Sequence, residues 1–123
     1  MSASTTTLPL QERLEDLFSY IRQGRILDAL NEFYAEDTVM QENNLPPTVG
    51  RAGNLKREQE FLNSVKEWQR FDVTAQGVGQ DVTFYETVME WLATDGTPVH
   101  VEQVVVAKWQ DGKIIHERYY HNP

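Results

Sequence analysis

The sequence contains no cysteine among its 123 residues. This absence excludes disulfide bonds, thiolate metal sites and cysteine nucleophiles, and it is typical of proteins from a reducing compartment. A chain of this length buries enough apolar surface for one domain without such cross-links. We therefore expect a single domain over residues 9–123, a disordered tail over residues 1–8 and a cytoplasmic location.

Positive charge is scarce, because 11 Lys and Arg residues stand against 19 Asp and Glu residues and the formal net charge is -8. Nucleic-acid binding relies on clustered Lys and Arg side chains that neutralise phosphates, so we expect no nucleic-acid partner. Apolar runs of about 20 residues, the length that spans a bilayer, are also missing. Residues 1–7 lack the basic and apolar regions of a signal peptide, and we expect no membrane partner.

The first third of the chain has the periodicity of a helical hairpin. After Pro9, which suits a first helical turn, apolar residues recur at helical spacing until Gly24, which favours a helix end. A second helix is predicted over residues 25–34, with its apolar residues on one face. Both helices are amphipathic, so they need a surface to cover.

A strand is predicted next, over residues 38–43. Pro46, Pro47 and Gly50 interrupt regular structure and predict a loop, after which a third helix runs over residues 51–68. Its periodicity places three apolar residues inward and leaves four charged residues largely solvated. The inward residues are Leu55, Leu62 and Val65, and the solvated ones are Lys56, Arg57, Glu58 and Glu60.

The rest of the chain alternates with a period of two residues, which indicates strands over residues 71–77, 82–93, 99–110 and 113–121. The pair Asp111-Gly112 is a strong signal for a tight hairpin. Pairing across it predicts that Ala107 lies opposite His116 and that Glu102 lies opposite His121. Helices followed by such a meander predict an α+β fold, with the helices packed on one face of a curved antiparallel sheet.

Three segments carry a resemblance to a known family. These are Phe-Tyr-Ala-Glu-Asp-Thr-Val at residues 33–39, the pair Gly50-Arg51 before the third helix, and the turn Asp-Gly-Lys-Ile at residues 111–114 that leads into an acidic and aromatic run. With the order of elements, they resemble the SnoaL-like branch of the nuclear-transport-factor-2-like superfamily. The superfamily holds ketosteroid isomerases, polyketide cyclases, epoxide hydrolases, dehydratases and binding proteins, so the resemblance alone does not define a function.

The resemblance implies a cone-shaped α+β barrel whose strongly curved sheet encloses a central pocket for a small apolar molecule. Both faces of the predicted third sheet strand are apolar, with Val105 and Trp109 on one face and Val104 and Val106 on the other, so both faces should be covered. The helices cover one face. In this fold class a second subunit typically covers the other, and we expect a homodimer through the outer face of the sheet.

The related limonene epoxide hydrolases offer a residue-by-residue comparison. Alternation along the closing strand places Glu117, Tyr119 and His121 on the pocket face. By ungapped alignment, the positions of that family's catalytic Asp, its water-positioning Asn, its Arg and its second Asp are occupied here by Tyr119, Glu42, Thr87 and Met89. These departures argue against epoxide hydrolysis by that mechanism.

Four polar residues are nevertheless candidates for catalysis. Burial raises the pKa of a carboxyl group toward the working pH, so Glu42 and Glu117 can serve as an acid and a base if they face each other. His121 can relay a proton, and the Tyr119 hydroxyl can donate to a developing oxyanion. The predicted pocket wall consists of Tyr34, Met40, Asn44, Trp68, Thr87 and Met89.

The same four residues also fit structural roles. Glu117 can pair with a cation at the edge of the sheet, Tyr119 can be a packing residue, and His121 lies close enough to the C-terminus to be solvated. A metal site formed by His100, Glu102 and His116 is disfavoured, because His100 and Glu102 share a face of their strand and the predicted pairing puts His116 on the opposite face. Phosphate loops and nucleophile elbows are missing from the sequence.

Three functions remain open. The first is a cofactor-independent enzyme that isomerises, cyclises or dehydrates a small hydrophobic carbonyl compound by acid and base catalysis. The second is a non-catalytic module that binds or senses an apolar metabolite. The third is a small dimerising subunit whose pocket is filled by its own side chains.

Overall fold

The structure, a computed structural model, describes residues 9–122. The predicted tail over residues 1–8 lies outside the described residues. Three helices are present in this part of the chain: α1 (Leu10–Arg22), α2 (Ile26–Phe33) and α3 (Arg51–Asn63). The strands are β1 (Tyr34–Glu42), β2 (Thr48–Val49), β3 (Val65–Val78), β4 (Val82–Ala93), β5 (Pro98–Gln110) and β6 (Lys113–His121).

The six strands form one sheet in the order β2-β1-β6-β5-β4-β3. The predicted α+β class is confirmed, but two details of the prediction are wrong. The sheet is mixed, because β1 and β6 run parallel: all the other strands lie between them in sequence, and such a long connection permits parallel pairing. It is also open, because β2 and β3 are its two edges, so it does not close into a barrel.

The third helix is shorter than predicted and gives way to a longer strand. α3 ends at Asn63, where the Ser64 hydroxyl donates to the carbonyl of Phe61 at 2.5 Å. From Val65, which lies opposite Ala93, the chain pairs with β4. That ladder satisfies the backbone groups of residues 65–68 and overrides the helical spacing of their side chains.

The strands around the proline-rich loop also differ from the prediction. β1 begins at Tyr34, directly after α2, because this stretch already pairs with β6. Within the predicted loop, Thr48 and Val49 form the short strand β2 opposite Met40 and Val39. The prolines precede β2, so they remove no donor from its two paired residues.

The β5–β6 hairpin has a bulge that shifts its register. Asp111 and Gly112 both have positive φ, at 53° and 76°, as a tight turn of this type requires. The register then changes between Lys108 and Trp109, so that Ala107 lies opposite Glu117, not His116 as predicted. The predicted pairing of Glu102 with His121 is wrong for the same reason, since Gln103 takes that place.

The helices pack on the inner face of the sheet. Arg13 anchors them, because its guanidinium lies 4.3 Å from the ring centroid of Phe33 and donates to the Gly112 carbonyl at 3.0 Å in the β5–β6 turn. The core combines residues from α1 and α2 with residues from β1, β4, β5 and β6. They are Leu14, Leu17, Phe18, Ala29, Leu30, Phe33, Tyr34, Met40, Tyr85, Val105, Ala107, Trp109 and Ile114.

The outer face of the sheet carries both apolar and charged side chains. Phe84, Val104 and Tyr120 are exposed there at 43%, 38% and 43%. Within residues 9–122, no helix has the length and apolar character to cross a membrane.

The three residues considered as metal ligands do not converge on one point, since His100 and Glu102 contact each other and His116 lies on a different strand beside Lys108. His100 lies 2.8 Å from both Glu90 and Glu102, and His116 pairs with Lys108 across the ladder. The described residues contain no group of three or more His, Cys, Asp or Glu side chains arranged to hold a metal ion.

Candidate functional site

A cavity of about 520 Å³ lies between the inner face of the sheet and the three helices. Most of its wall is apolar or aromatic, and Phe61, Trp68 and Trp91 form a cluster with ring centroids 5.3 to 5.9 Å apart. Trp68 is 38% exposed, which places it where the cavity meets solvent. The other apolar wall residues are Leu17, Ile21, Ile26, Ala29, Leu30, Met40, Phe71, Met89 and Val101.

The register of the sheet determines which polar side chains reach this cavity. Tyr85 pairs with Val105, which pairs with Tyr119, and the next inward row begins at Thr87. Thr87 pairs with Gln103, which pairs with His121. Side chains directly opposite each other share a face, so these two rows line the cavity floor.

Glu117 lies behind the cavity wall, not on it. Its side chain is fully buried, at 0% exposure, between Ala107 and Met40 on the neighbouring strands. The hydroxyls of Tyr34, at 2.5 Å, and of Tyr119 both donate to its Oε1 atom. Its Oε2 atom has no hydrogen-bond partner among the described residues. We therefore place Glu117 as the residue that holds the two tyrosine hydroxyls in position.

The surroundings of Glu117, Tyr34 and Tyr119 raise the pKa values of all three side chains and so favour their protonated forms. Burial raises the pKa of Glu117 from 4.5 to about 7, against the opposing effect of the two tyrosine hydrogen bonds. Burial and the nearby Glu117 charge raise the pKa values of Tyr34 and Tyr119 well above their usual value. Near neutral pH both tyrosines therefore keep their hydroxyl protons, and both tyrosines line the cavity wall.

A second polar group joins His121, Glu42 and Arg57. The Nε2 atom of His121 lies 3.0 Å from Glu42 Oε1, and its Nδ1 atom lies 2.9 Å from the Asn122 carbonyl oxygen. Both partners are acceptors, so the imidazolium form, which has two N–H donors, satisfies both. The Asn122 carbonyl and Glu42 accordingly raise the pKa of His121. Arg57 donates to the other oxygen of Glu42 at 3.1 Å.

The structure brings most of the predicted site residues to the cavity. Asn44 is instead exposed in the turn after β1, because Asn43 has a positive φ of 48° and directs the chain away. Asn43 fastens that turn, since its side-chain oxygen accepts from the His121 backbone N–H at 2.9 Å. On the cavity wall lie Tyr34, Met40, Glu42, Trp68, Thr87, Met89, Tyr119 and His121.

The sequence reasoning missed one face of α3. Asn54, Glu58 and Phe61 line the cavity, although Glu58 was expected to be solvated. Asn54 is buried and donates to the carbonyl of Gly50 at 2.8 Å. The spacing of four and then three residues from Asn54 to Phe61 would have revealed this face, but its polar members hide it from a search for apolar periodicity.

Comparisons with known proteins agree with this architecture. Residues 14–117 match the model of the SnoaL-like domain family. No curated protein matches the sequence. A proposed SnoaL-like polyketide cyclase from Mesorhizobium loti is 20% identical, superposes with a TM-score of 0.76, and the match covers 92% of this chain and 99% of that one.

Two further structures are similar. An NTF2-like protein of unknown function from Burkholderia pseudomallei is 9% identical with a TM-score of 0.79, and the match covers 91% of this chain and 89% of that one. A proposed polyketide cyclase from Xanthomonas campestris is 21% identical with a TM-score of 0.74 and the same two coverages, 91% and 89%. At these identities the likeness shows the fold.

Proposed function

Because this chain belongs to the SnoaL-like domain family, we propose that it binds a small, largely apolar carbonyl compound in its cavity and acts on it without a cofactor. The reaction is an isomerisation, a cyclisation or a dehydration by acid and base catalysis. The observation that carries the proposal is the pair of Tyr34 and Tyr119, joined through Glu117, on the wall of a mainly apolar cavity. Such a combination of apolar wall and few convergent polar groups is typical of ligand sites.

In the structure both tyrosine hydroxyls donate their single proton to Glu117, so it is the hydroxyl that accepts a proton from protonated Glu117 that turns to bind the carbonyl oxygen of the ligand. Both tyrosines keep their protons near neutral pH, so that hydroxyl is a donor at the position where negative charge develops when a neighbouring carbon loses a proton. Glu117 supports them when it is protonated, because its O–H can then donate to a tyrosine oxygen. A hydrogen-bond chain of this kind strengthens the tyrosine as a donor to the ligand. Glu117 is thus a positioning residue.

Proton transfer falls to His121 and Glu42. Each of the three reaction types removes a proton from carbon beside the carbonyl and returns a proton to carbon or to a leaving oxygen. The Glu42 carboxylate accepts the first proton and the His121 imidazolium supplies the second, and the two groups are 3.0 Å apart. Both line the cavity.

Binding without turnover is the second candidate function. It is favoured by the observation that both oxygens of Glu42 are already hydrogen-bonded, to His121 and to Arg57. Glu117 is fully buried and reaches the cavity only through its tyrosine partners. A site of this kind fixes the orientation of a ligand without changing it.

Methyl naphthyl ketone and ethylnaphthalene, which lacks the carbonyl, test both candidates. Tryptophan fluorescence titration should show that the wild type binds the ketone roughly 5- to 10-fold more tightly, as one or two added hydrogen bonds predict. The Tyr119→Phe variant should lose this preference. The control, Tyr120→Phe, should keep it, because Tyr120 lies on the opposite face of the same strand and is 43% exposed.

The same ketone separates catalysis from binding. In heavy water, the enzyme would remove a proton from the acetyl methyl group and return a deuteron. Proton NMR detects this exchange as a loss of the methyl signal. Exchange above the buffer rate that is lost in Glu42→Gln supports the enzyme. Binding with no exchange supports the binding module, and equal affinity for ketone and hydrocarbon refutes the carbonyl site.

A further inference from the structure

We infer that the molecule bound in the cavity carries a hydroxyl group as well as its carbonyl, and that Glu58 recognises this hydroxyl. The inference rests on the proposed function, because it concerns the same cavity. It goes beyond that function by naming a substrate class, a hydroxylated ketone, and a specificity-determining residue.

Glu58 faces the cavity from α3, whereas its helix neighbours Lys56 and Glu60 are exposed. Within residues 9–122, its carboxylate makes no hydrogen bond or ion pair, although Arg57 and Glu42 are near enough to act on it through their charges. The charge of Glu58 also acts on the buried cluster of Tyr34, Tyr119 and Glu117. The carboxylate therefore shares the cavity with the tyrosine pair that binds the carbonyl.

An ionised carboxylate away from water is costly unless donors satisfy it. Burial raises the pKa of Glu58, and the nearby Arg57 charge opposes that effect only in part. The other two carboxyl groups of the site are already satisfied or sealed, since Glu42 bonds His121 and Arg57 while Glu117 is fully buried. Glu58 is thus the carboxylate that a donor on the ligand can reach.

Thr87 provides a second, independent observation. It lines the same cavity at 1% exposure, and its hydroxyl has no hydrogen-bond partner among the described residues. Buried hydroxyls are normally paired, and this one belongs to a residue that borders the cavity, so a rotation of the Thr87 side chain would offer it to an oxygen of the ligand. A wall with an unpaired carboxylate and an unpaired hydroxyl fits a molecule with more oxygen atoms than a simple apolar ketone.

The donor on the ligand is a neutral hydroxyl and not a cationic amine. Arg22 and Arg57 also line the cavity, and His121 favours its charged form. These three positive groups outnumber the two carboxylates, Glu42 and Glu58, so a ligand cation would gain no net attraction. A hydroxyl donates to Glu58 without adding a charge.

Two pairs of naphthyl methyl ketones test the inference. Each pair consists of a hydroxylated ketone and the matching methyl ether, in which the hydroxyl is replaced by a methoxy group. The oxygen is on the ring that does not carry the acetyl group, and the two pairs differ in its position on that ring. At least one hydroxyl compound should bind the wild type about tenfold or more tightly than its ether, as expected for a hydrogen bond to a charged group. Glu58→Gln should reduce that ratio to about threefold or less. Glu60→Gln, the same change two residues along on the solvent face, should leave it unchanged.

A measurement on the wild type makes the result independent of how the variants fold. The carboxyl carbon resonance of Glu58 should move when the preferred hydroxyl compound binds and should stay in place with its ether. Equal binding of hydroxyl and ether in both pairs, or a preference that survives Glu58→Gln, overturns the role of Glu58 while leaving the carbonyl site intact. Failure of every ketone to bind overturns the proposed function itself, and this inference with it.

Discussion

Replacing Glu117 by glutamine should change how the stability of the protein depends on pH. In the unfolded chain the carboxyl ionises near its ordinary pKa of 4.5, whereas in the folded protein burial raises that pKa to about 7. Between these values the unfolded chain has lost a proton that the folded protein keeps. The stabilising contribution of Glu117 is therefore complete below the unfolded pKa and is lost as the pH rises through the folded pKa.

The magnitude follows from the two pKa values. Their difference is about 2.5, and each tenfold change in proton affinity is worth about 1.4 kcal/mol, so the full loss is about 3.5 kcal/mol, most of which falls between acid and mildly alkaline pH. Glutamine does not ionise, and its amide oxygen can still accept from Tyr34 and Tyr119. The Glu117→Gln variant should therefore resemble the wild type near about pH 4 and be about 3 kcal/mol more stable relative to it near about pH 8.

Urea unfolding at several pH values, followed by the fluorescence of the buried Trp91 and Trp109, measures this difference directly. Other titrating groups are common to both proteins and largely cancel. The exposed Glu60→Gln exchange is the control and should give no comparable slope. If the free energies of unfolding of wild type and Glu117→Gln run parallel across the whole range, Glu117 ionises normally and its assignment as a buried, proton-holding residue is wrong.

Three further outcomes are expected. The Tyr34→Phe variant should raise the pKa of Glu117 further, because it removes a hydrogen bond that favours the ionised carboxylate, and carboxyl carbon NMR can follow that titration. Glu42→Gln should lower the pKa of His121, measured from its imidazole proton resonances, since Glu42 helps to raise it. We also expect two copies of the chain to pair through the outer face of the sheet; Phe84→Lys should then convert a dimer into a monomer in sedimentation velocity, and a wild type that sediments as a monomer at all concentrations would contradict this.

Much of the site could be predicted because strand alternation is a local property. Any β6 that has one face inward must place Glu117, Tyr119 and His121 on the same side, whatever its neighbours are. The predicted bounds of this strand, residues 113–121, are those observed. The same holds for β4, predicted and observed over residues 82–93, which carries Thr87 and Met89 to the cavity wall.

Whether a side chain lines the cavity or is buried behind its wall could not be predicted, because this depends on the sizes of several side chains at once. Glu117 and Tyr119 share a face, yet the tyrosine lines the cavity while the glutamate is sealed beneath it. The sealing requires Tyr34 from β1, whose hydroxyl reaches Glu117 across 83 positions of sequence. The bulge between Lys108 and Trp109 is also non-local, since it appears only when β5 and β6 are paired.

The contrast between Glu117 and Glu58 shows how environment divides the work of two identical side chains. Glu117 is fully buried and Glu58 is half-buried, and burial raises the pKa of both. Glu117 is enclosed by the protein and accepts hydrogen bonds from Tyr34 and Tyr119, so its hydrogen bonds are already formed in the protein without ligand. Glu58 has no protein donor within the described part of the chain and lines the cavity, so its carboxylate is open to a donor on the ligand. Glu58, which has no protein donor among the described residues, can therefore discriminate between ligands. Glu117, which already has two donors, stabilises the cavity wall against which those ligands bind.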